Sequence, residues 1–349
     1  MITNPTPQRT LRGHLPPRAT PRAATTAEHH ARLAARLQPR DRWLARMLFE
    51  HKVLTSHQIA QLAWPSLRAA NLRLLQLYRW RVLDRFQPFV TVGSAPMHYI
   101  LDIAGATTLA HETGIDLAHL GYRHDREAGR AYSLRLAHTI GTNGFFTTLV
   151  AHARHTPATS ALTAWWSETR CARHFGDIVR PDAYGRWREH GREIEWFLEF
   201  DFGTEDLATL AGKLPGYQSL ATTTGITTPV LVWLPTTRRE TGARRALLSA
   251  LRTLDRPHSV PVATTSADLT QPAHALHPAH ARWLPLSTGP DTGRLRLIDL
   301  LRAWPHLPPP ATQPGTTASP TPPALPPGPH HLTPPPPMPP AQPPYPLRK

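Results

Sequence analysis

Between residues 42 and 80 the apolar positions return at helical spacing in three successive stretches. In Arg42–His51, Trp43, Leu44, Met47 and Leu48 share one face, which predicts a first helix. Thr55 or Ser56 caps a second, whose apolar face is Ile59, Ala60 and Leu62. Trp64-Pro65 ends it, because the residue before a proline is pushed out of the helical region. Ser66 then caps a third helix reaching about Trp80, with Leu67, Leu74, Leu75 and Leu77 toward the core. Val82–Val92 and Met97–Leu101 read as two strands, joined through Gly93-Ser94-Ala95-Pro96.

After the basic stretch Gly121–Arg130 the pattern changes to alternating strands and helices. The strongest period-two segment sets Ile194, Trp196, Leu198, Phe200 and Phe202 against Glu195, Phe197, Glu199 and Asp201, a strand with one buried and one mostly acidic face. A hairpin turn at His190-Gly191, where glycine takes positive φ readily, pairs Glu189 with Arg192 and so sets Asp182 opposite Glu199. Glu199 and Asp201 point the same way, roughly 7 Å apart along the strand.

Both ends differ from this ordered middle. Residues 1–39 carry Arg9, Arg12, Arg18 and Arg22 with no acid before Glu28, a disordered basic arm that turns helical near Ala27–Leu37. Residues 304–349 hold half of the chain's 40 prolines, including Pro334–Pro337, and read as an extended, disordered tail, passive rather than a docking element. The expected fold is therefore mixed, α+β or α/β. A three-helix domain with a hairpin spans 40–120, an α/β domain spans 121–303, and a tail lies at each end.

Charge narrows the partners. Lys and Arg number 39 against 24 Asp and Glu, a formal net charge of +15, which favours a polyanion. A single cysteine, Cys171, excludes an intrachain disulfide and any multi-cysteine zinc site. The first forty residues lack a secretory apolar core and no apolar run approaches the roughly 18 residues of a membrane helix, so a soluble cytoplasmic protein is expected.

The order helix, helix, helix, hairpin is that of a winged helix-turn-helix. Its third helix turns Arg68, Asn71 and Arg73 outward, where arginine suits guanine edges and asparagine adenine edges of double-stranded DNA. Arg79 and Arg81 are placed to hold phosphates. The same fold also serves as a protein-docking module, and the helix also reads as an ordinary solvated basic helix.

In the second domain, opposed carboxylates repel unless something cationic lies between them. One answer is a divalent metal: magnesium prefers oxygen ligands, and Asp182, Glu199 and Asp201 offer them. The other is a neighbouring cation, Lys213 foremost, with Arg180 and Arg192 close in sequence. Lys213 and Tyr217 share a helical face if the helix survives Pro215. Lys213 there can orient a water or meet a developing phosphate charge; Tyr217 either bonds a phosphate or packs in the helix. His274, His277 and His280 recur every three residues, but Pro272 and Pro278 disturb any helix that would align them, which predicts a solvated loop. No G-x-x-x-x-G-K-[ST] loop and no His-x-His pair occurs, so magnesium is the cofactor considered and no nucleotide or organic cofactor is indicated.

These residues resemble the replication-relaxation family of bacterial, especially actinobacterial, mobile-element proteins. The similarity runs from Asp41 to Leu301. It rests on Arg42-Trp43-Leu44, Val53-Leu54-Thr55 with Gln58-Ile59-Ala60, Gly93-Ser94-Ala95-Pro96, Asn143-Gly144-Phe145-Phe146 and Trp165-Trp166-Ser167-Glu168. It continues through Arg180-Pro181-Asp182, Phe197-Leu198-Glu199-Phe200-Asp201 with Gly203-Thr204-Glu205, Lys213 with Tyr217, and Trp233-Leu234-Pro235. The resemblance implies a link to plasmid replication or relaxation, with replication or transfer proteins as partners, and names no reaction.

The hairpin also resembles the core of PD-(D/E)xK nucleases, restriction-endonuclease-like enzymes whose paired acids and lysine cut phosphodiesters with magnesium. Pro181-Asp182 matches the first element; Glu199-Phe200-Asp201 departs from the second, with aspartate where the motif carries lysine. Lys213 on the next helix stands in for it and Glu168 supplies an upstream acid. Three readings follow: a non-catalytic DNA-binding factor; a magnesium-dependent endonuclease using Asp182, Glu199, Asp201 and Lys213; and a winged-helix docking protein.

Overall fold

In the computed structural model the described residues are 14–15 (backbone only), 21–90, 93–269, 277–286, 293–308, 310 and 332–341. Arg9, Arg12, Arg18, Thr91, Val92 and His274 lie outside them. The chain divides into two compact units, one of Gln8–Ile140 with Gln313–Lys349, the other of Gly141–Thr312 with Met1–Pro7. Together they make a mixed α+β protein, and no helix among the described residues is long and apolar enough to cross a membrane.

The first unit opens with β1 (His14–Leu15), α1 (Ala27–Arg36) and α2 (Pro39–His51). Then come β2 (Leu54–Thr55), α3 (Ser56–Ala63), α4 (Leu67–Arg79), β3 (Leu83–Pro88), β4 (His98–Leu101), α5 (Ile103–Thr113) and α6 (His124–Gly129). Local chemistry sets the helix ends. Thr55 and Gln58 form a reciprocal capping box at α3, and the Ser66 hydroxyl accepts from Ala69 N at 3.2 Å to start α4. Strands β3 and β4 are antiparallel, and the sheet order is β1-β3-β4-β2. Leu44, Leu48, Ile59, Leu62, Leu74 and Leu77 are fully buried and form the core between the helices.

Two stretches of the terminal segments are placed in this unit. In α1 Leu33 is buried, and Arg22 pairs with Asp84 and Asp102 instead of reaching outward. Residues 332–341 of the proline-rich segment also belong to it.

The second unit is built on α7 (Leu136–His155, of which Gly141 onward belongs here) and one six-stranded sheet. The chain runs through β5 (Ser160–Ser167), α8 (Glu168–Phe175), β6 (Ala183–Glu189), β7 (Arg192–Phe200), α9 (Leu207–Ala211) and α10 (Leu214–Thr224). It ends with β8 (Val230–Leu234), α11 (Thr237–Arg252), β9 (Val262–Ser266), β10 (Leu284–Pro285) and α12 (Leu300–Ala303). The order is β10-β9-β8-β7-β6-β5: β5, β6 and β7 form an antiparallel meander, while β8 and β9 continue parallel to β7.

Both sheet faces are covered. On one, Phe145 and Phe146 of α7 meet Trp165, Trp196, Trp233 and Trp283. On the other, Phe197, Tyr217, Leu220, Val230, Val232 and Leu247 pack as one cluster. Strand β8, Val-Leu-Val-Trp-Leu, is buried at every position, as a strand with two covered faces must be. The acidic face of β7 therefore lies inside the protein, with Glu199 and Asp201 only 2% and 4% exposed.

Candidate functional site

Helix α4 has no acidic residue, and Arg68, Asn71, Leu72 and Arg79 lie on its exposed side. Among the described residues the side chains of Arg68, Asn71 and Arg79 have no partner, and Leu72 between them is 63% exposed. The other two expected DNA contacts are engaged within the unit. Arg73 donates to both oxygens of the buried Asp41, through Nε to Oδ1 at 3.0 Å, and lies 5.1 Å from the Trp80 ring centroid. Arg81, held at φ 58, points Nε at Asp102 Oδ2, 3.4 Å away. The exposed polar set thus narrows to Arg68, Asn71 and Arg79.

Asp102 is the charge centre beneath this region. Fully buried, it accepts from Ile103 N at 2.6 Å to cap α5, pairs with Arg22 and Arg81, and has His124 Nδ1 at 3.3 Å. Asp102→Asn retains a capping oxygen but loses the charge, and should cost roughly 1.5–3 kcal/mol. Asp102→Ala should cost about 1 kcal/mol more, the usual worth of a cap. Urea unfolding of the two variants measures the difference; equal losses would mean that the cap contributes nothing.

In the second unit the turn falls at His190 and Gly191, φ 48 and 76, and Glu189 pairs with Arg192. The ladder sets Asp182 opposite Glu199: Asp182 N donates to Leu198 O at 3.1 Å, and Phe200 N donates to Asp182 Oδ2 at 2.8 Å. Lys213 Nζ donates to Glu199 Oε2 and Tyr217 OH to Oε1, each at 2.5 Å. Pro215 does not interrupt this spacing, because Lys213 is the N-cap of α10 and a proline in the first turn withholds an N–H that the helix does not use. Glu168 opens α8 just past the Ser167–Ala183 pair, so it lies beside Asp182 at the end of the β5–β6 ladder.

Asp201 does not join this group. Its Oδ1 accepts from Gly203 N at 2.7 Å and from Arg239, whose Nε also donates to Oδ2. The groups of three or more His, Cys, Asp or Glu whose ligand atoms lie within 4.8 Å of one another, among the described residues, do not include Asp182, Glu199 and Asp201. As placed, the donors do not suit a magnesium ion, since both Glu199 oxygens are taken and the Lys213 ammonium stands where a cation would.

The charges explain the arrangement. Two buried carboxylates and one ammonium leave an excess negative charge. Burial and then Asp182 push Glu199 up to about 7, against the opposing pull of Lys213 and Tyr217. Burial works against the Lys213 charge, but Glu199 and Asp182 outweigh it and hold the ammonium above its ordinary value. Burial and then Glu199 raise Tyr217 well above its usual range, so the phenol stays a proton donor.

A family model described as replication-relaxation matches residues 46–232, over half of the chain. The chain belongs to the replication-relaxation family. No curated protein and no solved structure matches it. In this replication-relaxation protein the matched span runs from within α2 to within β8. It contains the exposed side of α4 together with Asp182, Glu199, Lys213 and Tyr217.

Partly outside that span the replication-relaxation protein carries a histidine cluster that the spacing does not signal, with His152 inside the span and His277 and His280 beyond it. His152 of α7, His277 and His280 bring their rings to centroid separations of 4.3, 5.6 and 5.4 Å. The solvated loop expected at His277 and His280 is thus instead packed on α7. His277 Nε2 lies 2.8 Å from Thr148 O and its Nδ1 accepts from Ala279 N at 3.0 Å, so the tautomer with the proton on Nε2 fits both. Burial and then His152 push its pKa down to about 3, and with both nitrogens engaged the neutral ring fastens the segment to the helix. The partners that distinguish this from a free loop, Thr148 and His152, precede His277 by 129 and 125 residues, and no local spacing signals them.

Proposed function

We propose that this replication-relaxation protein is a DNA-binding factor in the replication or relaxation of plasmid or other mobile DNA. In this reading α2, α3, α4 and the β3–β4 hairpin act as a winged helix-turn-helix, and α4 enters the major groove. The observation that carries it is the exposed side of α4, with two arginines and an asparagine left unpaired among the described residues and no acid on the helix. Asparagine and arginine at one face suit adenine and guanine edges, and Arg79 at the helix end suits a phosphate. The family membership and the net charge of +15 agree with a DNA partner.

Fluorescence anisotropy on duplex DNA from the protein's own replicon, over a salt series, tests it. Replacing Arg68, Asn71 and Arg79 together by alanine is expected to weaken binding at least a hundredfold without lowering thermal stability, at about 1–3 kcal/mol for each good base contact. Losing Arg79 alone should reduce the salt slope by about 1. Unchanged binding by the triple variant would remove α4 as the reader. Wild-type protein that ignores duplex DNA at low salt would favour protein docking.

A second reading, a magnesium-dependent endonuclease, draws on the gathering of Asp182, Glu199 and Lys213 at one end of the β6–β7 hairpin, and it requires Lys213 and Tyr217 to release Glu199 to the ion. Incubation with supercoiled plasmid, with and without magnesium, separates it from the first. Nicking that needs magnesium and disappears in Asp182→Ala and Glu199→Ala supports cleavage; equal nicking in the variants assigns it to something else.

A further inference from the structure

The proline-rich segment contains a stretch, 332–341, that belongs to the same compact unit as α2. Here the indole Nε1 of Trp43 donates to the carbonyl of Pro336 at 2.7 Å. Pro335 and Pro337 are buried, while Thr333 and Pro336 are exposed. Residues 332–336 have neither helix nor strand. This is how a polyproline II strand meets a surface. Proline fixes φ near −65° and lacks an N–H, the backbone forms no internal hydrogen bonds, and with three residues per turn every third one faces away. The carbonyls remain as strong acceptors.

The receiving side is equally specific. Trp43 is 5% exposed, and a buried indole N–H needs an acceptor or costs the desolvation of an unmade hydrogen bond. The Pro336 carbonyl supplies it from 293 residues away. A flat aromatic ring with one donor at its edge is the usual recognition chemistry for proline-rich strands, which bind with little loss of entropy because they are already extended.

We propose that the Trp43 face of α2 is a binding groove for polyproline II peptides, filled in this chain by its own segment Leu332–Ala341. The segment is therefore a tethered ligand and not a passive tail. A tether holds such a ligand at an effective concentration of about 1 mM, so the groove stays filled in cis and admits a second proline-rich strand only by displacement.

The experiment uses the full chain and a fluorescein-labelled peptide with the sequence of residues 332–341. In wild-type protein the tethered segment competes, and the peptide is expected to bind at least tenfold more weakly than to a chain carrying Pro335→Asp and Pro337→Asp, which releases the tether. Adding Trp43→Phe to that chain, with circular dichroism to verify its fold, should weaken the peptide about tenfold. A labelled peptide with both prolines replaced by aspartate should not bind the released chain, a comparison that does not depend on how any protein variant folds. Failure of the released chain to bind the native peptide, equal binding by wild-type and released chains, or equal binding of the two peptides would overturn the proposal.

Discussion

Lys213→Met is expected to destabilise the second unit by roughly 3–5 kcal/mol at pH 8, because it strands a buried carboxylate that has lost its partner. Glu199 is 2% exposed and faces Asp182 across the hairpin, and methionine fills much of the lysine's volume without its charge. The pH dependence identifies the stranded group. Glu199 already has its pKa raised to about 7 in the folded protein, so the fold holds its proton more tightly than the unfolded chain does. The stability from that proton is complete below the ordinary glutamate range and is lost as the pH rises through the folded value. In the variant, keeping Glu199 neutral costs about 1.4 kcal/mol for each pH unit above about 4.3. The wild type bears the same cost up to its own folded value of about 7, so the part of the loss that depends on pH appears only above about pH 7 and is absent at pH 5.5. Guanidinium unfolding at pH 8 and pH 5.5 should therefore show a smaller loss in acid. A loss independent of pH would mean that Glu199 is not the group left unpaired.

Gly185→Ala should be nearly as damaging, by about 3 kcal/mol, though the glycine is in a regular strand. It pairs with Trp165 on β5 and Trp196 on β7, and the Phe146 ring stacks on both, at 5.0 and 6.2 Å. A Cβ at Gly185 would lie 2.4 Å from Trp196 Cζ2 and 2.7 Å from Phe146 Cε1. Neither ring is a flexible side-chain end, and both are fully buried, so the phenylalanine would be forced out of its slot between the tryptophans. Gly191→Ala is the control. There φ is 76 and a Cβ meets nothing within 4 Å, so only backbone strain is expected, about 1 kcal/mol. Guanidinium midpoints of the two variants compare them, and a Gly185→Ala midpoint no lower than that of Gly191→Ala would refute the ring-slot account.

The two glycines also mark how far the sequence can be read. Gly191 is legible, since a His-Gly pair between alternating strands calls for a turn and, by counting, the register that sets Asp182 opposite Glu199. Gly185 is not, because its neighbours come from two other strands and a helix. In α4, Ser66 as cap and the leucine spacing predict the helix to within a residue at each end. The same spacing puts Arg73 outside, and it is Asp41, 32 positions earlier, that draws it in. Asp201 likewise shares its strand face with Glu199, yet Arg239 engages it from α11.

What the sequence by itself determined is the three helices and hairpin of residues 42–101, the register that sets Asp182 opposite Glu199 and the mixed class of the fold, all consequences of periodicity, capping and turn chemistry acting within a few residues. Only the tertiary structure decided which charges and which buried donor find their partners: Lys213 with Glu199, Arg239 with Asp201, Arg73 with Asp41, and the neutral Trp43 indole with the Pro336 carbonyl. Each is a choice among several nearby partners, settled by burial. Inside the protein an unpaired charge or donor costs several kcal/mol, and the partner is whichever group the fold carries within reach, however distant in the chain.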